Sequence, residues 1–347
     1  MMADLIAWLL VIAIAAYACA GGTDYGAGFW DLLAGGAERG KRPRWLIDHA
    51  MAPVWEVNNV WLIFILILMW TGFPLMFQAV FEALWLPLAL AAVGQLLRGA
   101  GFALRKPTHR IAQRRVYGAA FAISSLLTPF FLGAVLGGIA SGRVAVDVPA
   151  SSDAWANPTS LMAGLMAIAA TAYLGAVFLC SDARRFGAHD LVDYFRRRAW
   201  AAFAALVVLA LIALPVTRDD ARYVWDNLTS GLGLLMAILA GVCGLATVLL
   251  LVRRLYGWSR YTSVATVGLA VLAWGFAQRP YLLPTSLTVS QAAGAAHSLR
   301  WLAIVTLIAV LLVGPALVLV YRLDTKGRLE PLTDTDTSAA RLPGDDA

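Results

Sequence analysis

Charge is scarce in this sequence: lysine, arginine, aspartate and glutamate make up 14% of its 347 residues, while 61% are hydrophobic. A soluble domain carries about a quarter charged residues and roughly half apolar ones. A chain this short of polar surface has nothing with which to enclose an apolar core in water, which excludes a soluble enzyme. Cysteine is scarce too. Cys19, Cys180 and Cys243 form an odd set, far apart, each in an apolar stretch where a thiol behaves as a small hydrophobe. Neither a disulfide framework nor a thiolate metal site follows. Histidine numbers four. His49, His109 and His189 fall among basic residues between apolar stretches, and His297, at the start of the last stretch, is the one candidate for axial haem ligation inside this chain. Gly21, Gly22, Gly26 and Gly28 match neither a G-x-x-x-x-G-K-[ST] loop nor a strand leading into one, so no nucleotide site is expected.

What the sequence has is long apolar runs. Each membrane crossing takes about 20 mostly apolar residues, and such windows occur at 5–20, 54–73, 79–102, 116–139, 160–180, 200–216, 230–252, 262–276 and 299–320. The runs are continuous rather than alternating, which excludes a β-barrel. The expected fold is an all-α polytopic membrane protein of about nine transmembrane helices. No Lys or Arg precedes the first window, so it reads as a retained helix and not a cleaved signal peptide. Residues 1–328 read as a single transmembrane domain. Residues 329–347 form a polar tail expected to be disordered.

The basic residues follow this layout. Of the 27 Lys and Arg, 21 lie in the loops after the first, third, fifth and seventh windows or in the C-terminal tail, and Arg143, Arg218, Arg222, Arg279 and Arg300 lie on the other side. The positive-inside rule then puts the N-terminus outside and the C-terminus in the cytoplasm. It also explains the net charge of +6 without nucleic acid. Most tryptophans, Trp30, Trp70, Trp85 and Trp301 among them, fall near expected helix ends, as in an aromatic belt.

Arg98 is the remaining basic residue and lies inside the third window, roughly 10 Å from the Arg105–Lys106 boundary at 1.5 Å per residue. An arginine at that depth faces protein and seeks a carboxylate. Two acids stand at comparable depth: Asp24, after the first window, and Glu56, just past Pro53 at the start of the second. Desolvation raises the pKa of such an acid, while a helix N-terminus and a nearby cation lower it, and a group held between those influences can load and release protons. The expected cluster is Asp24, Glu56, Asn58, Asn59 and Arg98. A static ion pair with amide support is the competing reading. Asp31 and Glu82 read as interfacial charges.

The runs Gly22-Thr-Asp-Tyr-Gly-Ala-Gly-Phe29, Ala52-Pro-Val-Trp-Glu-Val-Asn-Asn-Val-Trp61, Phe73-Pro74 and Leu97-Arg98-Gly-Ala-Gly-Phe102 strongly resemble subunit II of the cytochrome bd-type quinol oxidases, as does the segment Pro280-Tyr-Leu-Leu-Pro-Thr-Ser-Leu-Thr288. The resemblance implies two four-helix bundles plus one peripheral helix. It implies a subunit I that carries haems b and d, oxidises quinol and reduces oxygen to water, so that no haem is ligated by this chain. Lipid contacts, a bound quinone and small accessory subunits belong to the same set of expectations. Within the family the acid of the Trp-acid-x-Asn motif is assigned to a proton pathway, which maps onto Glu56, with Arg98 as charge partner and Asn58 and Asn59 beside it. Some relatives have Asp at that position, and some carry a second acid in the third helix where this chain has Gly101-Phe-Ala-Leu104. Asp24 then serves as the second carboxylate, or none does. The residues alone also fit an ion- or solute-transporting membrane protein or a purely structural subunit. A transporter predicts broken helices at the bilayer midplane.

Overall fold

The computed structural model describes residues 1–36, 38–51, 55–105, 111–146 and 148–325. Nine long helical units correspond to the nine apolar windows among these residues. They are α1 (Met2–Leu32), α3 (Trp55–Ile67, extended by a π-helical turn Leu68–Gly72), α5 (Trp85–Arg105), α6 (Ile111–Ala140), α7 (Pro158–Arg185), α8 (His189–Asp220), α10 (Gly231–Val252), α11 (Tyr256–Gln278) and α13 (Ala296–Thr325). Between them lie four shorter helices, α2 (Lys41–Met51), α4 (Pro74–Ala83), α9 (Arg222–Leu228) and α12 (Val289–Ala292), and a small hairpin of β1 (Tyr281–Leu283) with β2 (Leu287–Thr288). Five described helical stretches, in α1, α6, α7, α8 and α10, are long and apolar enough to cross a membrane unaided, and the bent unit formed by α3 and α4 brings the number to six. α1, α3, α5 and α6 pack as one group, α7, α8, α10 and α11 as a second, and α13 rests on α1 and the π-turn.

Two features depart from the sequence reading. The stretch from Gly21 onward is not a loop: α1 runs unbroken for 31 residues, about 46 Å at 1.5 Å per residue. Glycine weakens helices in water, but backbone groups in lipid have no alternative partner, and small residues let helices approach closely. Gly26 shows why the sequence is glycine-rich here, because a Cβ at that position would lie 1.9 Å from the Thr171 backbone oxygen and 2.8 Å from the Gly175 Cα on α7. This crossing joins the two four-helix groups. Gly26→Ala is therefore expected to lower the stability of the purified protein, by about 1–3 kcal/mol if the helices move apart as in other overpacked cores. Gly241→Ala, with open space around its new methyl, should leave the melting temperature unchanged.

The second departure is the start of the third span. The window at 79–102 merged two helices. Pro74, which has no N–H to give, occupies the first turn of α4, and α4 leaves the π-turn at 118°. α4 thus turns across the end of the bundle before α5 descends. Gly294 N–H donates to the Gly72 carbonyl at 2.9 Å, tying the turn to the segment before α13. The hairpin closes the same end. Leu283 is fully buried, Tyr223 hydroxyl donates to the Arg279 carbonyl at 2.6 Å, and a Thr288–Gln291 capping box starts α12.

At the opposite end α2 lies against α1 and α7 with Leu46 and Ile47 buried. Its Arg44 donates to Asp31 at 3.0 Å and its Arg42 to Asp190 at 2.8 Å. Asp31 is thus buried and ion-paired, whereas Glu82 is exposed.

Candidate functional site

Arg98 is the largest fully buried side chain among the described residues, with 1% of its surface exposed. It projects from α5 toward α1 and α6. Its Nε donates to one Asp24 carboxylate oxygen at 2.8 Å and one terminal nitrogen to the other at 2.5 Å, the paired geometry in which guanidinium and carboxylate match best. The same nitrogen donates to the Asp24 backbone oxygen at 2.8 Å, and the other terminal nitrogen to Ser125 Oγ at 2.8 Å. The guanidinium lies between the rings of Tyr25 and Phe121, 4.7 and 4.4 Å from their centroids. Gly28 makes room for this arrangement: a Cβ there would stand 2.0 Å from Ser125 Oγ and 3.2 Å from the arginine.

From this pair a hydrogen-bonded chain leads to α3. Tyr25 and Tyr17, two turns apart on one face of α1, bring their hydroxyls within 3.0 Å of each other. Tyr25 donates to the Gln95 side-chain oxygen, and the Gln95 amide nitrogen donates to Tyr17 at 3.3 Å and to Asn59 Oδ1 at 3.1 Å. Four helices are therefore linked through one connected run of polar groups: α1 by Tyr17, Asp24 and Tyr25, α3 by Asn59, α5 by Gln95 and Arg98, and α6 by Ser125. Buried polar groups that all find partners fix a unique arrangement of the helices around them.

Of the five residues expected to cluster, the structure brings Asp24 and Arg98 into direct contact and attaches Asn59 through Gln95. Glu56 and Asn58 lie in α3, Glu56 one helical turn before Asn59; their side chains are outside the described residues. Sequence reasoning missed Tyr17, Tyr25, Gln95 and Ser125. Spacing held the signal for three of them, since Gln95 precedes Arg98 by three residues and Tyr17 and Tyr25 flank the Asp24 face at an interval of eight, both one-face intervals of an α-helix.

His49 and His189 are exposed, and the Nε2 of His297, also exposed, accepts from Trp301 at 2.9 Å. His109 lies outside the described residues. Among the described residues no three His, Cys, Asp or Glu side chains are placed to share a metal ion.

A bundle of long apolar helices that holds an arginine–carboxylate pair in its interior defines a polytopic membrane protein with a fixed intramembrane charge pair. Comparison with known proteins specifies it further. The family model for cytochrome bd terminal oxidase subunit II matches residues 2–324. The chain is 25% identical over 321 residues to the cytochrome bd-I ubiquinol oxidase subunit 2 of Escherichia coli K12, covering 80% of this chain and 81% of that one. It is 22% identical over 313 residues to the cytochrome bd ubiquinol oxidase subunit 2 of Bacillus subtilis, covering 86% and 89%. Its fold matches a chain of the bd oxidase from Geobacillus thermodenitrificans with a TM-score of 0.79 and 26% identity, over 93% of this chain and 98% of that one. The chain belongs to the cytochrome bd terminal oxidase subunit II family. It is a bacterial membrane protein, the second subunit of a bd-type quinol oxidase, and that role implies a subunit I as its partner.

Proposed function

We propose that this subunit scaffolds a haem-bearing subunit I and conducts protons from the cytoplasm to the site where that partner reduces oxygen. The observation that carries the reading is the polar chain from Asn59 through Gln95 and the two tyrosines to the Asp24–Arg98 pair. Polar groups are costly in a bundle surrounded by lipid, and a connected run of them supports a polar path through this part of the chain. Glu56, one turn before Asn59 at the start of α3, is the acid that takes up protons. Asn58 and Asn59 orient its neighbours. Arg98 sets the local field, and Asp24, with both oxygens engaged, is its counter-charge.

Subunit I would hold haems b and d, which would pass the four electrons of two quinols to oxygen, and with four protons from this subunit's path the products would be two waters. Quinol oxidation in the partner, a quinone bound in this subunit, lipid and small accessory subunits complete the proposed assembly. The N-terminus is outside and the C-terminus cytoplasmic, a reading supported by the 21 basic residues on one side.

Two measurements test this. Expressed without subunit I, the chain should purify without haem absorbance and gain it on co-expression; haem retained by the lone chain would overturn the assignment. A reporter fluorescent only in the cytoplasm should light up when fused at the C-terminus, and a dark C-terminal fusion would reverse the topology.

A further inference from the structure

Among the described residues Arg198 is a cation without a carboxylate. It stands on α8 as the last charged residue before nineteen uncharged ones, 199–217, so it lies at the boundary between headgroups and hydrocarbon. It does not extend into water. Its guanidinium carbon sits 3.3 Å from the centroid of the Tyr194 ring and 5.6 Å from that of Trp30 on α1, and the side chain is half-buried there. Its one protein acceptor among the described residues is the Tyr194 backbone oxygen, 3.3 Å away. Its Nε is buried without a partner, and so is the Tyr194 hydroxyl on the same turn. The Nε of Arg42 and of Arg196 is unpartnered as well, but those side chains have a counter-charge, Arg42 in Asp190 and Arg196 in Asp193, as Arg44 has in Asp31.

Buried donors are satisfied in folded proteins, and a half-buried charge calls for an opposite one. Orphan donors on two adjacent side chains, walled by two aromatic rings at headgroup level, call for an anion with several acceptor oxygens. We propose that Arg198 and Tyr194, backed by Trp30, bind the phosphate group of an anionic membrane phospholipid. Phosphate oxygens accept from the Arg198 guanidinium and the Tyr194 hydroxyl, and the acyl chains descend along the same face of α8, where Ala205 and Ile212, seven and fourteen residues on from Arg198, are exposed. A lipid satisfies both the depth of the site and the apolar surface beneath it. A free phosphate satisfies the charge alone.

The test uses the purified two-subunit oxidase in nanodiscs of phosphatidylcholine containing a minor fraction of phosphatidylglycerol, with lipids retained after extraction read by native mass spectrometry. Wild-type complex should retain phosphatidylglycerol in preference to phosphatidylcholine, and Arg198→Gln should reduce that retention roughly fivefold, the effect of one basic residue at an anionic surface. Tyr194→Phe should reduce it by a smaller factor. Arg197→Gln, an exposed neighbour, should leave it unchanged. All variants are compared at equal haem absorbance, and Arg198→Lys should restore part of the retention if the fold is intact. Equal losses in Arg197→Gln and Arg198→Gln would reduce the site to diffuse surface charge and overturn the proposal. So would displacement of the lipid by millimolar inorganic phosphate, which would make free phosphate the ligand.

Discussion

Asp24→Leu should prevent the oxidase from accumulating, and the double variant Asp24→Leu/Arg98→Met should bring it back. The single change leaves the Arg98 guanidinium, 1% exposed, with Ser125 Oγ and one backbone oxygen as its remaining acceptors and no counter-charge. Breaking a buried ion pair from one side costs about 3–5 kcal/mol, whereas replacing both partners with apolar groups of similar volume is often neutral. That cost is a large share of a folded domain's net stability, about 5–15 kcal/mol. Arg98→Met alone should be milder, because the orphaned carboxylate can take up a proton. The amount of haem-bearing complex in membranes and its thermal inactivation are the readouts. If the pair is a counter-charge and not a carrier, the rescued double variant keeps most of its oxygen consumption. A double variant that assembles with full haem and no turnover would place Asp24 in the proton path. Equal accumulation of all three variants would mean that the pair contributes nothing to the fold.

The second large effect is on rate. Glu56→Gln keeps the size and hydrogen-bonding capacity of the side chain but cannot release a proton. If Glu56 loads every proton used in oxygen reduction, turnover should fall by roughly a hundredfold, the order at which removal of a positioned acid or base is felt. Stability should barely change, since loss of one charge at a helix start costs about 0.3–1 kcal/mol. Haem spectra and subunit ratio should match the unaltered enzyme. Glu56→Asp, one methylene shorter, should retain much of the rate. A slow Glu56→Gln with reduced haem would indicate an assembly defect instead, which is why turnover is normalised to haem.

The helix inventory and the polar cluster differed in how far the sequence revealed them. Hydropathy found all nine long units because each has to satisfy its own backbone in lipid, which leaves a run of apolar residues whatever the packing. The same rule hid the last third of α1, where Gly21 to Trp30 reads as a linker by aqueous propensities and proves to be the stretch that lets α1 meet α7. It also hid the boundary at Pro74, since composition does not change where α3 gives way to α4. Arg98 was conspicuous because a lone charge in an apolar run has to be paired. Gln95, Tyr17 and Tyr25 were not, because uncharged polar side chains are common in membrane helices and only the tertiary arrangement brings these three together. The partner of Asp31 was hidden as well, since only the fold brings Arg44 of α2 to it.

Vectorial proton uptake is the most direct test of the central claim. In vesicles that expose the C-terminal side of the oxidase to the medium, a pH indicator there should report protons consumed in step with each oxygen reduced. In the Glu56→Gln enzyme that uptake should slow together with oxygen consumption, with haem content unchanged. Uptake from the opposite face, or uptake in Glu56→Gln at the rate of the unaltered enzyme, would contradict the account and leave this subunit as a scaffold.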